Sequence, residues 1–224
     1  MKKTKIISAL MALAIVATPA MGIASNGISN TGSHRLTAYA YSKNVKGIWI
    51  QDANNKKWWY RHDDGTYTKN DWELIEGKYY LFDKDGWMLT GLKRFSGDLY
   101  YLHPDKGYML TDWRKINGYW YYFDNTSGKA LTKWQFINGK WYYFDKQSCR
   151  AYEDIHTIDG KGYYFRFGSA EMFDGGEFSL YRSNKDWEGF RDYYAYSDGH
   201  LASGVTYVRG QRRYYHPTMY YRVW

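Results

Sequence analysis

Two pairs of tryptophans stand out as the side chains able to do chemistry. Trp113 and Trp120 lie seven residues apart, and Trp134 and Trp141 repeat that spacing 21 residues later, inside the near-copies WRKINGYWYYFD and WQFINGKWYYFD. An indole face attracts a cation, by about 0.5–1 kcal/mol when exposed and roughly 2 or more when desolvated. A quaternary ammonium is weakly hydrated and has no N–H to satisfy, so aromatic walls without a carboxylate suffice to hold it. The same flat rings can stack on the apolar face of a sugar.

Other chemistries fare worse. Asp83, Asp124 and Asp145 supply carboxylates, but they recur at one position, between an aromatic run and a glycine, where a turn role outweighs paired-acid catalysis. The histidines, among them His62, His103, His156, His200 and His216, keep no metal-ligand spacing and read as surface or turn residues. Cys149 is alone, so it offers neither an intramolecular disulfide nor a metal site, and it reads as a small residue filling a repeat position. No nucleophile elbow and no phosphate-binding glycine loop is present. Arg209, Arg212 and Arg213 lie beside Tyr214 and Tyr215, a mixture that can bind single-stranded nucleic acid, but a solvated basic cap is the simpler reading. The expectation is a protein without catalytic residues, metal or cofactor, and without a nucleic-acid partner.

The elements that position the tryptophans are repeats. Taking Trp120 as marker, the equivalent residues are Trp58, Tyr79, Leu99, Trp120, Trp141 and Gly162, spaced by 20 or 21 residues. A fixed period of that size marks an array. Five residues into each copy comes a turn glycine: Gly77, Gly97, Gly118, Gly139 or Gly160. The preceding residue is Asn or Asp in three of the five, and Asn-Gly and Asp-Gly favour a two-residue hairpin turn. An aromatic strand follows, such as Trp120-Tyr121-Tyr122-Phe123, then an acid-rich turn. A lone hairpin is marginally stable in water, whereas stacked hairpins share their burial. The fold class is therefore all-β, a β-solenoid of stacked β-hairpin repeats of about 20–21 residues. Because successive side chains of a strand alternate between faces, both faces of the aromatic strand must meet a neighbour or a ligand.

Composition agrees: aromatic content is 21%, with 26 Tyr and 11 Trp, so amphipathic rings carry the apolar surface in place of aliphatic clusters. The formal net charge is +8; three of those charges, Lys2, Lys3 and Lys5, lie in an expected leader, so +5 remain after it, a mild excess that suits an anionic surface. Residues 1–24 read as a signal peptide: a lysine-rich start, an apolar run Ile6 to Val16 too short to span a bilayer, and small residues Gly22 and Ala24 before a cut after Ala24, with a second small-x-small site ending at Ala40. Residues 25–46, rich in Ser, Asn, Gly and Thr, read as a flexible linker; 47–174 as the repeat array; and 175–224, where the register breaks, as degenerate terminal repeats that cap it.

The pattern G-W-x-x-x-x-G-x-W-Y-Y-F-D-x-x-G-x-M-x-T-G, followed in good register from Gly47 to Asp174, resembles the choline-binding or cell-wall-binding repeats of Gram-positive surface proteins and phage lysins, and is similar to the related repeats of glucan-binding glucosyltransferases and clostridial toxins. The resemblance implies aromatic cages between consecutive hairpins: Trp113 and Trp120 with Tyr142, Trp134 and Trp141 with Tyr163, and Trp72 and Tyr79 with Tyr100. Which tyrosine of each pair faces the cage stays open. Leu92 and Leu99, and Ile155 and Gly162, occupy both cage positions of their repeats, and Trp49 is separated from Trp58 by a longer turn. The resemblance further implies a secreted protein held non-covalently at the cell surface by choline-bearing teichoic acid or a wall polysaccharide, with no membrane insertion after signal cleavage. A carbohydrate-binding module and an adhesin are the alternatives. Several weak cages on one scaffold facing a polymer would bind by avidity.

Overall fold

The computed structural model describes residues 46–184 and 187–223; the expected signal peptide and all but the last residue of the expected linker lie outside the described residues. Those described form an all-β structure without a helix. β1 (Gly47–Gln51) pairs with β2 (Trp58–His62), β3 (Asp71–Ile75) with β4 (Lys78–Phe82), and β5 (Gly91–Phe95) with β6 (Asp98–Leu102), on which the short β7 (Met109–Leu110) adds a third strand. β8 (Asp112–Ile116) pairs with β9 (Tyr119–Phe123), β10 (Lys133–Ile137) with β11 (Lys140–Phe144), and β12 (Asp154–Ile158) with β13 (Lys161–Phe165). Beyond the array come a longer hairpin, β14 (Gly176–Ser183) with β15 (Glu188–Ala195), and a terminal sheet of β16 (Gly204–Val208), β17 (Gln211–Tyr215) and β18 (Arg222–Val223). Every pairing is antiparallel. The degenerate C-terminal copies are thus hairpins too.

The turns follow the chemistry of their residues. Asn117 and Gly118 both take positive φ, 50° and 85°, the pair of left-handed residues that a two-residue hairpin turn matched to strand twist requires. Glu76 and Ser96 adopt the same conformation without the asparagine's advantage. Asp124 and Asp145 serve the opposite turns: Asp124 Oδ1 accepts the Ser127 N–H at 2.7 Å, and Asp145 Oδ1 accepts that of Ser148 at 2.7 Å. Those bonds hold the Asp145 carboxyl below its ordinary range. Cys149 is buried at such a turn, with no disulfide, and burial pushes its thiol up.

The period has a backbone cause. The coil after each hairpin bonds twice. The Leu131 N–H donates to the Tyr122 carbonyl of its own hairpin at 2.9 Å, while Ala130 donates to Leu99 of the hairpin before at 2.8 Å. The same stitch joins Met88 to Trp58, Ala151 to Trp120, Met172 to Trp141 and Leu201 to Gly162. The acceptors are the marker residues themselves, so the period seen in side chains is the spacing of one recurring backbone bond.

Each aromatic strand ends on the core. Phe82, Phe123, Phe144 and Phe165 are fully buried, as are Leu102, Ala195 and Tyr215 at the equivalent places. His62 departs from the surface or turn place expected of the histidines. It stands at the turn position of Asp83 and Asp124, but it is buried, its Nε2 2.9 Å from Glu73 Oε1 and its Nδ1 2.8 Å from Thr66 Oγ1. Its imidazole joins this turn to the Glu73 carboxylate of the next hairpin. Arg213 likewise is no solvated cap residue; it pairs with Glu177 across to β14.

Tyr100 gives this core a pH signature. Burial, with Asp98 adding to it, pushes its hydroxyl up to about 12. A folded-state value above the unfolded one means that folding favours the neutral phenol. That stabilisation is complete below about pH 10 and is lost as the pH rises through the folded value. Tyr100→Phe should flatten the fall in melting temperature over this alkaline window, and an unchanged profile would count against the assignment.

Candidate functional site

Alternation gives every hairpin two unlike faces. In β9, Trp120 and Tyr122 share one face with Trp113, which lies directly across from Tyr122; Tyr121 and Phe123 share the other. In β11, Trp141 and Tyr143 share a face with Trp134, and Tyr142 and Phe144 look back. The Trp face of one hairpin therefore meets the Tyr/Phe face of the next, which answers why all four residues of the aromatic strand are aromatic.

The first site forms where β8 and β9 meet β11. The rings of Trp113 and Trp120 are 5.9 Å apart and perpendicular at 88°, and Tyr142 lies 4.7 Å from Trp113. Tyr122 flanks Trp113 at 5.3 Å and Phe144 lies behind it at 5.7 Å. The Trp120 indole N–H donates to the Gly168 carbonyl at 2.8 Å, which fixes the ring. The second site repeats the first one hairpin on: Trp134 and Trp141 at 6.2 Å and 86°, with Tyr163 at 4.8 Å from Trp134. In both, the tyrosine that faces the Trp pair is the first of its Tyr-Tyr dipeptide. All four Trp rings are partly buried and partly exposed. Burial raises the hydroxyls of Tyr142 and Tyr163, with Glu171 adding to the first and Asp198 and Asp159 to the second.

The third expected group is differently placed. Trp72 and Tyr100 touch at 4.9 Å, but they are only 7% and 2% exposed, and Phe95, Leu89, Met109 and Tyr79 pack around them. That cluster presents no open Trp face. Leu92 and Leu99 simply pack on Tyr121 and Phe123. At Gly162 a β-carbon would lie 2.5 Å from the Tyr220 ring: the C-terminal coil fills the space that a marker tryptophan takes elsewhere, with Tyr220 Oη 3.1 Å from Thr157 Oγ1.

The sequence reading put Trp58 at the marker position of the first repeat but left the place of Trp49 open. Trp49 pairs across from Tyr60 as Trp113 does from Tyr122, and its ring lies 4.9 Å from Tyr80 and 6.1 Å from Phe82 of the next hairpin. Trp58 then takes the place of Trp120, with 37% of its surface exposed. The longer loop between β1 and β2 hides this, because it changes the Trp–Trp spacing while leaving the cross-strand register intact. The signal that would have found it is the Trp49–Tyr60 pairing, not the distance to Trp58.

The profile of the choline-binding repeat matches residues 89–133 and 131–175. No curated protein matches the chain in sequence. Among solved structures, the chain is similar to choline binding protein F of Streptococcus pneumoniae, at 29% identity and a TM-score of 0.61, over 80% of this chain and 58% of that one. That protein has also been solved in the presence of a peptidoglycan analogue, a tetrasaccharide-pentapeptide. CbpJ of the same organism gives 26% identity and a TM-score of 0.61, again over 80% of this chain and 58% of that one. The modular autolysin LytC of S. pneumoniae, in complex with a synthetic peptidoglycan ligand, gives 26% and 0.50, over 80% of this chain and 39% of that one. The chain thus spans well under two thirds of the length of these proteins.

Proposed function

We propose that this chain, whose residues 89–133 and 131–175 are choline-binding repeats, is a secreted, non-catalytic wall-attachment protein that holds choline groups of teichoic acid in aromatic cages between the hairpins of a β-solenoid. The observation that carries the reading is the pair of perpendicular tryptophans closed by a tyrosine from the next hairpin, found twice at nearly equal distances. Perpendicular indoles in edge-to-face contact form two walls of a corner, and the third ring extends it. A trimethylammonium there loses little hydration and gains roughly 2 kcal/mol or more from desolvated rings. The rigid spacing of the hairpins adds avidity toward a polymer carrying many such groups. The carboxylates that might suggest hydrolysis are engaged in turn hydrogen bonds, which supports attachment over catalysis.

The folded chain should be retained on an immobilised choline resin and released by free choline, and choline should change its tryptophan fluorescence. Failure of a demonstrably folded chain to bind, or a fluorescence response to wall oligosaccharides and none to choline, would overturn the reading in favour of carbohydrate recognition.

A further inference from the structure

The hairpins with tryptophan at the marker position differ, among other places, at the residue directly across the ladder from that Trp. It is Gln51 opposite Trp58, Lys115 opposite Trp120 and Phe136 opposite Trp141. Lys115 holds its ammonium 5.4 Å from the centroid of the Trp120 ring. Phe136 sets its own ring 5.1 Å from that of Trp141, tilted by 48°. Neither is required by the core, since Lys115 is exposed and Phe136 is 47% exposed. A phenyl ring left wet beside a site adds aromatic surface to it; an ammonium over the same indole competes with any second cation for the ring quadrupole.

The acids do not separate the two sites: Asp112 and Asp124 bear on Tyr122 and Glu171 on Tyr142 at one, while Asp145 and Asp159 bear on Tyr143 and Asp198 on Tyr163 at the other, so the contrast between the sites is that of Lys115 and Phe136. Lys115 therefore makes its cage poorer for a free quaternary ammonium. It also supplies the partner for an anion tethered to that ammonium. In phosphorylcholine the phosphate stands one ethylene bridge from the nitrogen, so a trimethylammonium seated in the corner of Trp113 and Trp120 leaves its phosphate within reach of Lys115, whose ammonium lies over the Trp120 ring.

Resting on the choline reading above, we infer that the two cages are tuned to different parts of one polymer-borne ligand: Trp134, Trp141, Tyr163 and Phe136 form the tighter receptor for the quaternary ammonium itself, and Trp113, Trp120, Tyr142 and Lys115 form a receptor for the phosphodiester-linked group, with Lys115 as the specificity-determining residue.

Two single-cage chains test this. One carries Trp58→Ala and Trp141→Ala and keeps the Lys115 cage; the other carries Trp58→Ala and Trp120→Ala and keeps the Phe136 cage. Each is titrated by tryptophan fluorescence with choline and with glycerophosphocholine. The preference for glycerophosphocholine over choline should be about fivefold greater in the Lys115 chain, a difference of the size that one exposed ion pair supports. It should weaken with added salt. Lys115→Phe should erase it and Phe136→Lys should confer it; both positions are exposed, so folding is retained and is checked by circular dichroism. Equal preferences in the two chains, or swaps that move neither, while both chains still bind choline, would overturn the inference. If neither folded chain binds choline, the cage reading itself fails. Sedimentation with phosphatidylcholine vesicles that depends on Lys115 would assign that residue to a lipid headgroup and overturn the polymer source; its absence, with glycerophosphocholine binding intact, supports it.

Discussion

A chain carrying Trp58→Ala, Trp120→Ala and Trp141→Ala is expected to pass unretained through an immobilised-choline column and yet to remain folded. At Trp120 and Trp141 the change removes the second wall of a cage, and at Trp58 it removes the tryptophan at the same repeat position. A desolvated cation–aromatic contact of about 2 kcal/mol corresponds to roughly a 30-fold loss of affinity per cage, and losing both cages removes the avidity as well. Folding survives because these positions contribute their backbone carbonyls to the array. The stitch bonds from Met88, Ala151 and Met172 end on the carbonyls of Trp58, Trp120 and Trp141, whatever side chain is attached. Leu99 and Gly162 already occupy the same position in other repeats and accept the same bond. The lost Trp120 bond to Gly168 is one partly exposed contact. Retention of the triple variant would reduce the tryptophans to packing. Trp113 and Trp134 are less suited to this test, because each also packs against the buried Phe144 or Phe165 of the next hairpin.

The second large effect concerns stability. Gly128 sits at φ 70°, and a β-carbon there would lie 2.1 Å from Met109 Sδ. Gly107 meets Met88, and Gly199 meets Met172, in the same way. Where the coil carries alanine instead, the left-handed position carries a side chain: Cys149 packs in the cluster that includes Ala130, and Ala170 in that of Ala151, at φ 60° and 58°. Methionine and glycine are thus one solution to a shared space, and two small side chains are the other. Gly128→Ala should cost about 3 kcal/mol, the sum of left-handed strain and overpacking. Met109→Ala should cost about 2 kcal/mol for its cavity. Combined, they should cost less than the sum, with a coupling of about 1–2 kcal/mol. Chemical denaturation of the four chains measures this, and strict additivity would show that the methionine and the glycine do not share that space.

Much of the architecture was legible because it rests on local chemistry. Asn117-Gly118 and Asn138-Gly139 specify their turns without help from the rest of the chain, and the recurrence of the marker residue gave the repeat length. The first strands begin one residue ahead of their tryptophans, at Asp112 and Lys133, whose positive φ values belong to the approach to the strand. The misjudged places are those where a long-range contact reassigns a residue. His62 has the sequence context of a turn residue, and only Glu73 on the next hairpin makes it a buried one. Trp72 and Tyr100 have the spacing of a cage, and Phe95, Leu89 and Met109 close it.

By itself, the sequence determined that the chain is a succession of aromatic hairpins of one period, since turn type and strand alternation are properties of adjacent residues. It also singled out Trp113, Trp120, Trp134 and Trp141. Only the tertiary structure decided which face of each hairpin meets the next, that Tyr142 and Tyr163 rather than the tyrosines after them face the Trp pairs, and that Trp49 belongs with Tyr80. It also decided that Tyr220 fills the gap at Gly162. The reason is physical: a period fixes where side chains recur along the chain, but a cage is made by rings from two hairpins. Its openness depends on what the packing brings into the space between them.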